Sequence, residues 1–129
     1  MHHPALSHTI ATAARDADAF TAWLASGDEL IDAATLLGGR KWHAVAERVV
    51  TMARNGALSE RALRELRRLE RLLMLDYCDD LNSEEAKFFM QVHPDNPRAD
   101  NARICAEAMA RGIAALKLAR PIALMEAAQ

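Results

Sequence analysis

The sequence predicts an all-α protein, a compact bundle of five or six helices with short connections, and three observations carry that expectation. Apolar residues recur at three-four spacing along most of the chain, the mark of a helix with one buried stripe. Half of the 129 residues are hydrophobic, but Ala dominates that half and aromatics make up only 5%. The core must therefore come from close helix contacts rather than large rings. No alternating strand pattern, fixed-period repeat or low-complexity linker competes with the helical signal. At this length one domain, 1–129, is expected, large enough to bury roughly two-thirds of its unfolded surface without a disulfide or metal.

In the first segment, after the candidate N-cap Ser7, Ile10, Ala13, Ala17, Phe20 and Leu24 share a face, and Gly27 stops the helix. Asp28, Glu29 and Asp32 open the second helix, where carboxylates complement the helix dipole. Leu30, Ile31, Ala34 and Leu37 form its apolar side, and Gly38-Gly39 ends it. The third helix carries Trp42, Val45, Val49 and Met52 and closes at Asn55-Gly56, a pair suited to a left-handed cap.

Ser59 is placed to cap the fourth helix, "SERALRELRRLERLLMLDYC", with Ala62, Leu66, Leu69 and Leu73 as its seam. Its last part, "LLMLDYC", is apolar on nearly every side and should be surrounded by other helices. Ser83 caps a short fifth helix through Phe88, Phe89 and Val92. The last helix runs from about Pro97 to Ala119, with Cys105, Met109, Gly112, Leu116 and Ala119 as its seam. Ala102, Ala106, Ala110 and Ala114 repeat every fourth residue beside it, small enough to let two backbones approach. Pro121 is expected to break the helix and leave a C-terminal tail from about 121, "PIALMEAAQ", carrying Ile122, Leu124 and Met125.

A formal charge of -2 gives no whole-molecule field toward nucleic acid or an anionic membrane. No apolar run reaches the ~18 residues that span a bilayer, and "MHHPALSHTIATAARDADAF" has neither a basic start nor a long apolar stretch, so the chain is read as cytoplasmic, with no membrane partner. Cys78 and Cys105 lack C-x-x-C spacing and read as reduced, half-buried small hydrophobes.

Four stretches invite a functional reading. In "QVHPDNPRADN" the triplet His93-Pro94-Asp95 follows "SEEAKFFMQV" and resembles the loop with which J-domain co-chaperones stimulate a partner chaperone's ATPase. That resemblance would make those three residues the contacts. The preceding helix is short for that family and carries only Lys87 where a basic face is expected, and the following one lacks the family's packing aromatics. Helix punctuation explains the same residues: Pro94 disfavours helical geometry at His93, Asn96 is a candidate N-cap, and Pro97 suits the first helical position.

The acidic stretch "DYCDDLNSEE" holds Asp76, Asp79, Asp80, Glu84 and Glu85, near His93, and clustered carboxylates with a histidine can hold a divalent cation. The paired Glu-x-x-His motif of di-metal bundles is missing, however, and His43 with Glu47 reads as a surface pair.

The third stretch is basic: Arg61, Arg64, Arg68 and Arg71 recur on the fourth helix, with Arg67 nearby, and could run along phosphates. Glu60 with Arg64, and Arg61 with Glu65, are spaced to neutralise much of that field. The fourth, "AATLLGGRKWHAVAERVV", has the outline of a helix-turn-helix with Arg40 and Lys41 opening its second helix, though Trp42, Val45 and Val49 are there for burial. Serines fall at helix boundaries, where capping explains them, and no nucleophile elbow or phosphate-cradling glycine loop is present.

The sequence therefore points to a non-enzymatic, cofactor-free interaction or regulatory module that binds protein, expected as a homodimer because the twofold dimer is the commonest soluble oligomer. Its expected contacts are Met109, Leu116, Ile122, Leu124 and Met125. The alternative is a DNA-binding regulator using Arg40, Lys41, Arg61, Arg64, Arg68 and Arg71.

Overall fold

The computed structural model describes residues 4–56, 58, 60–93 and 95–127, with side chains from residue 11 to 119 apart from 60. It is an all-α bundle: α1 (Pro4–Ser26), α2 (Asp28–Gly38), α3 (Arg40–Arg54), α4 (Glu60–Leu73), the short α5 (Glu84–Phe89) and α6 (Pro97–Ala127), with one 3-10 turn at Asp76–Asp79. No strand occurs among the described residues. The helix count, the order and the all-α class agree with the sequence expectation.

Single glycines separate the first three helices. Gly39, at φ 76 and ψ -154, adopts a conformation open essentially to glycine alone; its N–H caps α2 on the Thr35 carbonyl while its own carbonyl accepts from His43 in α3. One residue thus ends one helix and starts the next. Beyond α3, Gly56 takes the left-handed geometry expected of Asn55-Gly56, at φ 66.

Four helix ends depart from expectation, and the smallest departure is at α5, which closes at Phe89, short of Val92. α1 begins at Pro4, so Ser7 lies inside it; proline's fixed φ and missing N–H suit a first turn. α4 stops at Leu73 rather than running on to Cys78, because Leu75 takes a left-handed φ of 62 and turns the chain. The turn lets Leu75 and Tyr77 fold back against the core, with the Tyr77 ring 5.5 Å from Trp42, and leaves Met74 exposed instead of enclosed by helices. α6 passes straight through Pro121 to Ala127, so no separate tail leaves the helix there. The bond Pro121 cannot donate is the one to the Lys117 carbonyl, and Lys117 is exposed, where water can satisfy it. Ser59, a candidate cap, lies outside the described residues.

The core is continuous across α1, α2, α3, α4 and α6, with Leu24, Leu30, Trp42, Val49, Leu66, Leu69 and Met109 at its centre. Burying Trp42 alone contributes on the order of 5 kcal/mol before entropy is subtracted. Its indole N–H reaches Glu85 Oε1 at 3.3 Å, tying α3 to the start of α5, and Ser83 caps α5 by accepting from the Ala86 N–H at 3.0 Å. Arg98 at the start of α6 forks onto the Asp32 carboxylate of α2, with Nε 3.2 Å from Oδ2.

α6 lies along α1, and at Gly112 the approach is so close that an added Cβ would sit 2.1 Å from Phe20 Cδ1. The expected alanine row only half serves this contact: Ala102 and Ala106 are buried, Ala110 and Ala114 exposed. Four residues advance 400° around a helix, so an every-fourth row rotates about 40° per step and leaves the interface.

Candidate binding surfaces

Where α4 turns away at Leu75, an open cleft of about 450 Å³ lies between the ends of α2 and α4, the helix α5 and the first half of α6. Leu37, Leu73, Leu75, Phe89, Ala102 and Ala106 line it. Met74 stands half out of it, and Asp100, Arg103 and Glu107 form a charged edge along α6, where Arg103 pairs loosely with Asp100 at 3.8 Å. An apolar floor with a few charged groups on one side is the ordinary composition of a ligand or peptide site. Sequence reasoning missed it because its walls come from four segments far apart in the chain. The one local sign was "LLMLDYC", apolar on nearly every side and too apolar for an exposed helix end.

The expected contact residues fall differently. Met109 is fully buried in the monomer's own core and cannot meet a partner; Leu116 is half-buried and packs on that core. Both sit where α6 faces its neighbours rather than solvent. Ile122, Leu124 and Met125 lie on the last turns of α6, and their side chains are outside the described residues. The large apolar side chains that α6 does expose are Ile104 and Leu118.

At the His-Pro-Asp triplet, Pro94 is outside the described residues, while His93 and Asp95 are exposed, with the Asp95 N–H donating to His93 Nδ1 at 3.1 Å. Asn96 Oδ1 accepts from the Arg98 N–H at 3.0 Å and Pro97 opens α6, as punctuation requires. The helix before the triplet, α5, has six residues.

The acidic stretch does not converge. Asp80 accepts from the Asn82 N–H at 3.0 Å, Glu85 is engaged by Trp42 and, at 3.7 Å, by Lys41, and no group of three or more His, Cys, Asp or Glu among the described residues could hold a metal ion.

His43 and Glu47 do pair, Nε2 to Oε1 at 2.8 Å, and His43 Nδ1 lies 2.8 Å from Thr35 Oγ1. This hydroxyl–imidazole–carboxylate line has the outline of a nucleophile relay. The Thr35 hydroxyl spends its proton on the Ile31 carbonyl at 2.7 Å, and the cleft between α3 and α4 takes in Glu47 but neither His43 nor Thr35. The line ties α2 to α3. The two cysteines are free thiols, and both are held in the protonated form: burial and, less strongly, Asp79 and Glu85 raise Cys78, while burial with Glu29 and Asp32 pushes Cys105 up to about 11.

The arginine face is more open than its spacing suggested. Glu65 does not neutralise Arg61: its carboxylate is turned inward, where it takes Arg48 of α3 at 3.4 Å and Arg68 at 2.9 Å. Arg61, Arg64 and Arg67 are exposed and have no ion-pair partner among the described residues. Arg68 and Arg71 lie over the Trp42 and Tyr77 rings, at 5.3 and 4.7 Å. Arg40 is exposed, and Lys41 reaches Glu85. The helix-turn-helix outline survives as α2, Gly39 and α3, with Trp42, Val45 and Val49 buried as expected.

No protein-family model matches the chain, and neither curated proteins nor solved structures give a significant match.

Proposed function

We propose that the protein is a small cytoplasmic interaction or regulatory module that works by binding another protein, and that the α4–α5–α6 cleft receives apolar side chains of that partner. The observation that carries this reading is the cleft itself, an open apolar hollow held by a left-handed leucine. Non-glycine residues in that conformation cost roughly 1–2 kcal/mol, and such strain clusters at ligand clamps and switch regions. Two free thiols and, among the described residues, no helix long and apolar enough to cross a membrane accord with the cytoplasmic placement.

Selection of displayed peptides on the purified chain tests it. Enriched peptides should carry a large apolar anchor, shift the amide resonances of Leu75, Phe89 and Arg103, and lose binding when Ala99→Trp fills the cleft mouth. Peptides whose shifts map elsewhere, and which ignore that substitution, would end the idea.

A second copy of the chain is the companion reading, favoured by Ile104 and Leu118, which are 57% and 58% exposed and lie within about 40° of each other on the outer side of α6. Leu118→Glu should then turn a dimer into a folded monomer in native mass spectra, and a wild-type chain that is monomeric at every concentration removes this version.

A further inference from the structure

The charge of the molecule is distributed far more unevenly than its total suggests. Residues 40–73, the α3–α4 pair, carry nine Lys and Arg against four Glu, a balance of +5, which leaves -7 on the rest of a chain whose total is -2. On α4, Arg61, Arg64, Arg67, Arg68 and Arg71 fall within one arc of roughly 120°, at 100° per residue. All five are exposed. Within that arc only Glu60 is acidic, because Glu65 is buried beneath Arg48 and Arg68, and Glu70 lies outside it. The arc extends across the helix pair through Arg48, and the aromatic faces of Trp42 and Tyr77 hold the guanidinium groups of Arg68 and Arg71 in place.

What such a face lacks decides its partner. Protein interfaces are organised around buried apolar or aromatic anchors. The large apolar side chains exposed among the described residues are Met74, Leu81, Phe88, Met90, Ile104 and Leu118, none of them in 40–73. A surface with dense arginines, of which Arg61, Arg64 and Arg67 make no ion pair among the described residues, and with no large exposed apolar side chain among the described residues of 40–73, suits a ligand that is itself a regular line of charge. We infer that the α3–α4 face binds nucleic acid through its phosphate backbone, without reading sequence, on a surface that shares only Leu73 with the cleft's lining. Planar guanidinium forks match phosphate oxygens two at a time, and Arg61, Arg64 and Arg67 spend that capacity on no carboxylate among the described residues.

Fluorescence anisotropy of a labelled duplex of arbitrary sequence, titrated with the full chain over a salt series, tests this. With about five phosphates engaged, log K should fall against log salt with a slope of about -4.5, so a fourfold rise in salt weakens binding about five-hundredfold. A second duplex of different sequence should bind alike. The triple variant Arg61→Ala, Arg64→Ala, Arg67→Ala, which removes only exposed side chains, should keep its helical circular dichroism, lose at least tenfold in affinity and flatten the slope by about 3. Ala99→Trp in the cleft should leave duplex binding unchanged. Failure to bind the duplex at low salt, or a folded triple variant with the wild-type affinity and slope, overturns the proposal. So does poly-glutamate of matched charge displacing the duplex as well as unlabelled duplex does, because the face would then belong to an acidic protein.

Discussion

Cys105 is 1% exposed, packed where α6 meets α2, and its thiol resists ionisation up to about 11 against an ordinary 9.0. Below pH 9 the folded and unfolded chains both keep the proton, and the residue contributes its full stabilisation. Between 9 and about 11 only the unfolded chain releases it, so stability is lost as pH rises through that window. Urea unfolding over an alkaline series should show this slope in the wild type, with a shallower one in Cys105→Ala; parallel slopes would mean that burial does not govern the thiol. Under native conditions a thiol reagent should modify half-buried Cys78 first and reach Cys105 only on unfolding. Single residues also mark the limit of what spacing can reveal. Glu65 stands four residues from Arg61 and three from Arg68, and helical periodicity allows either partner. Tertiary structure decides, because α3 brings Arg48 to the same carboxylate and fixes it on the inner side.

Among the elements, helix existence was legible wherever an apolar stripe ran for three turns, and the glycine breaks at Gly27, Gly39 and Gly56 were legible because only a left-handed or otherwise glycine-favouring backbone fits there. Two of the ends that were misread run against local propensity. Leucine is a strong helix former, yet Leu75 leaves the helix, and proline is the weakest, yet Pro121 stays in one. The α1–α6 contact sets packing against local propensity in energetic form. Gly112→Ala would favour an isolated helix by about 1 kcal/mol. Here the added methyl meets the Phe20 ring, and overpacking costs of 1–3 kcal/mol apply. The net of the two is a destabilisation of up to about 2 kcal/mol in urea, and Phe20→Leu in the same chain should recover part of the loss; a stabilised Gly112→Ala would show that α1 and α6 can move apart freely.

At the scale of the molecule, the class, the helix order and the arginine row of α4 followed from the sequence, whereas the cleft and the openness of the basic face did not. The cleft is assembled from the ends of four helices, and the openness of the basic face depends on which way one glutamate turns. The basic face carries a further consequence. A chain of net charge -2 with +5 gathered on two adjacent helices has a large dipole moment. In the field of a polyanion that dipole feels a torque before any contact is made. Rotation would bring α3 and α4 to the front while the mean attraction is still weak or repulsive, so encounters begin already oriented.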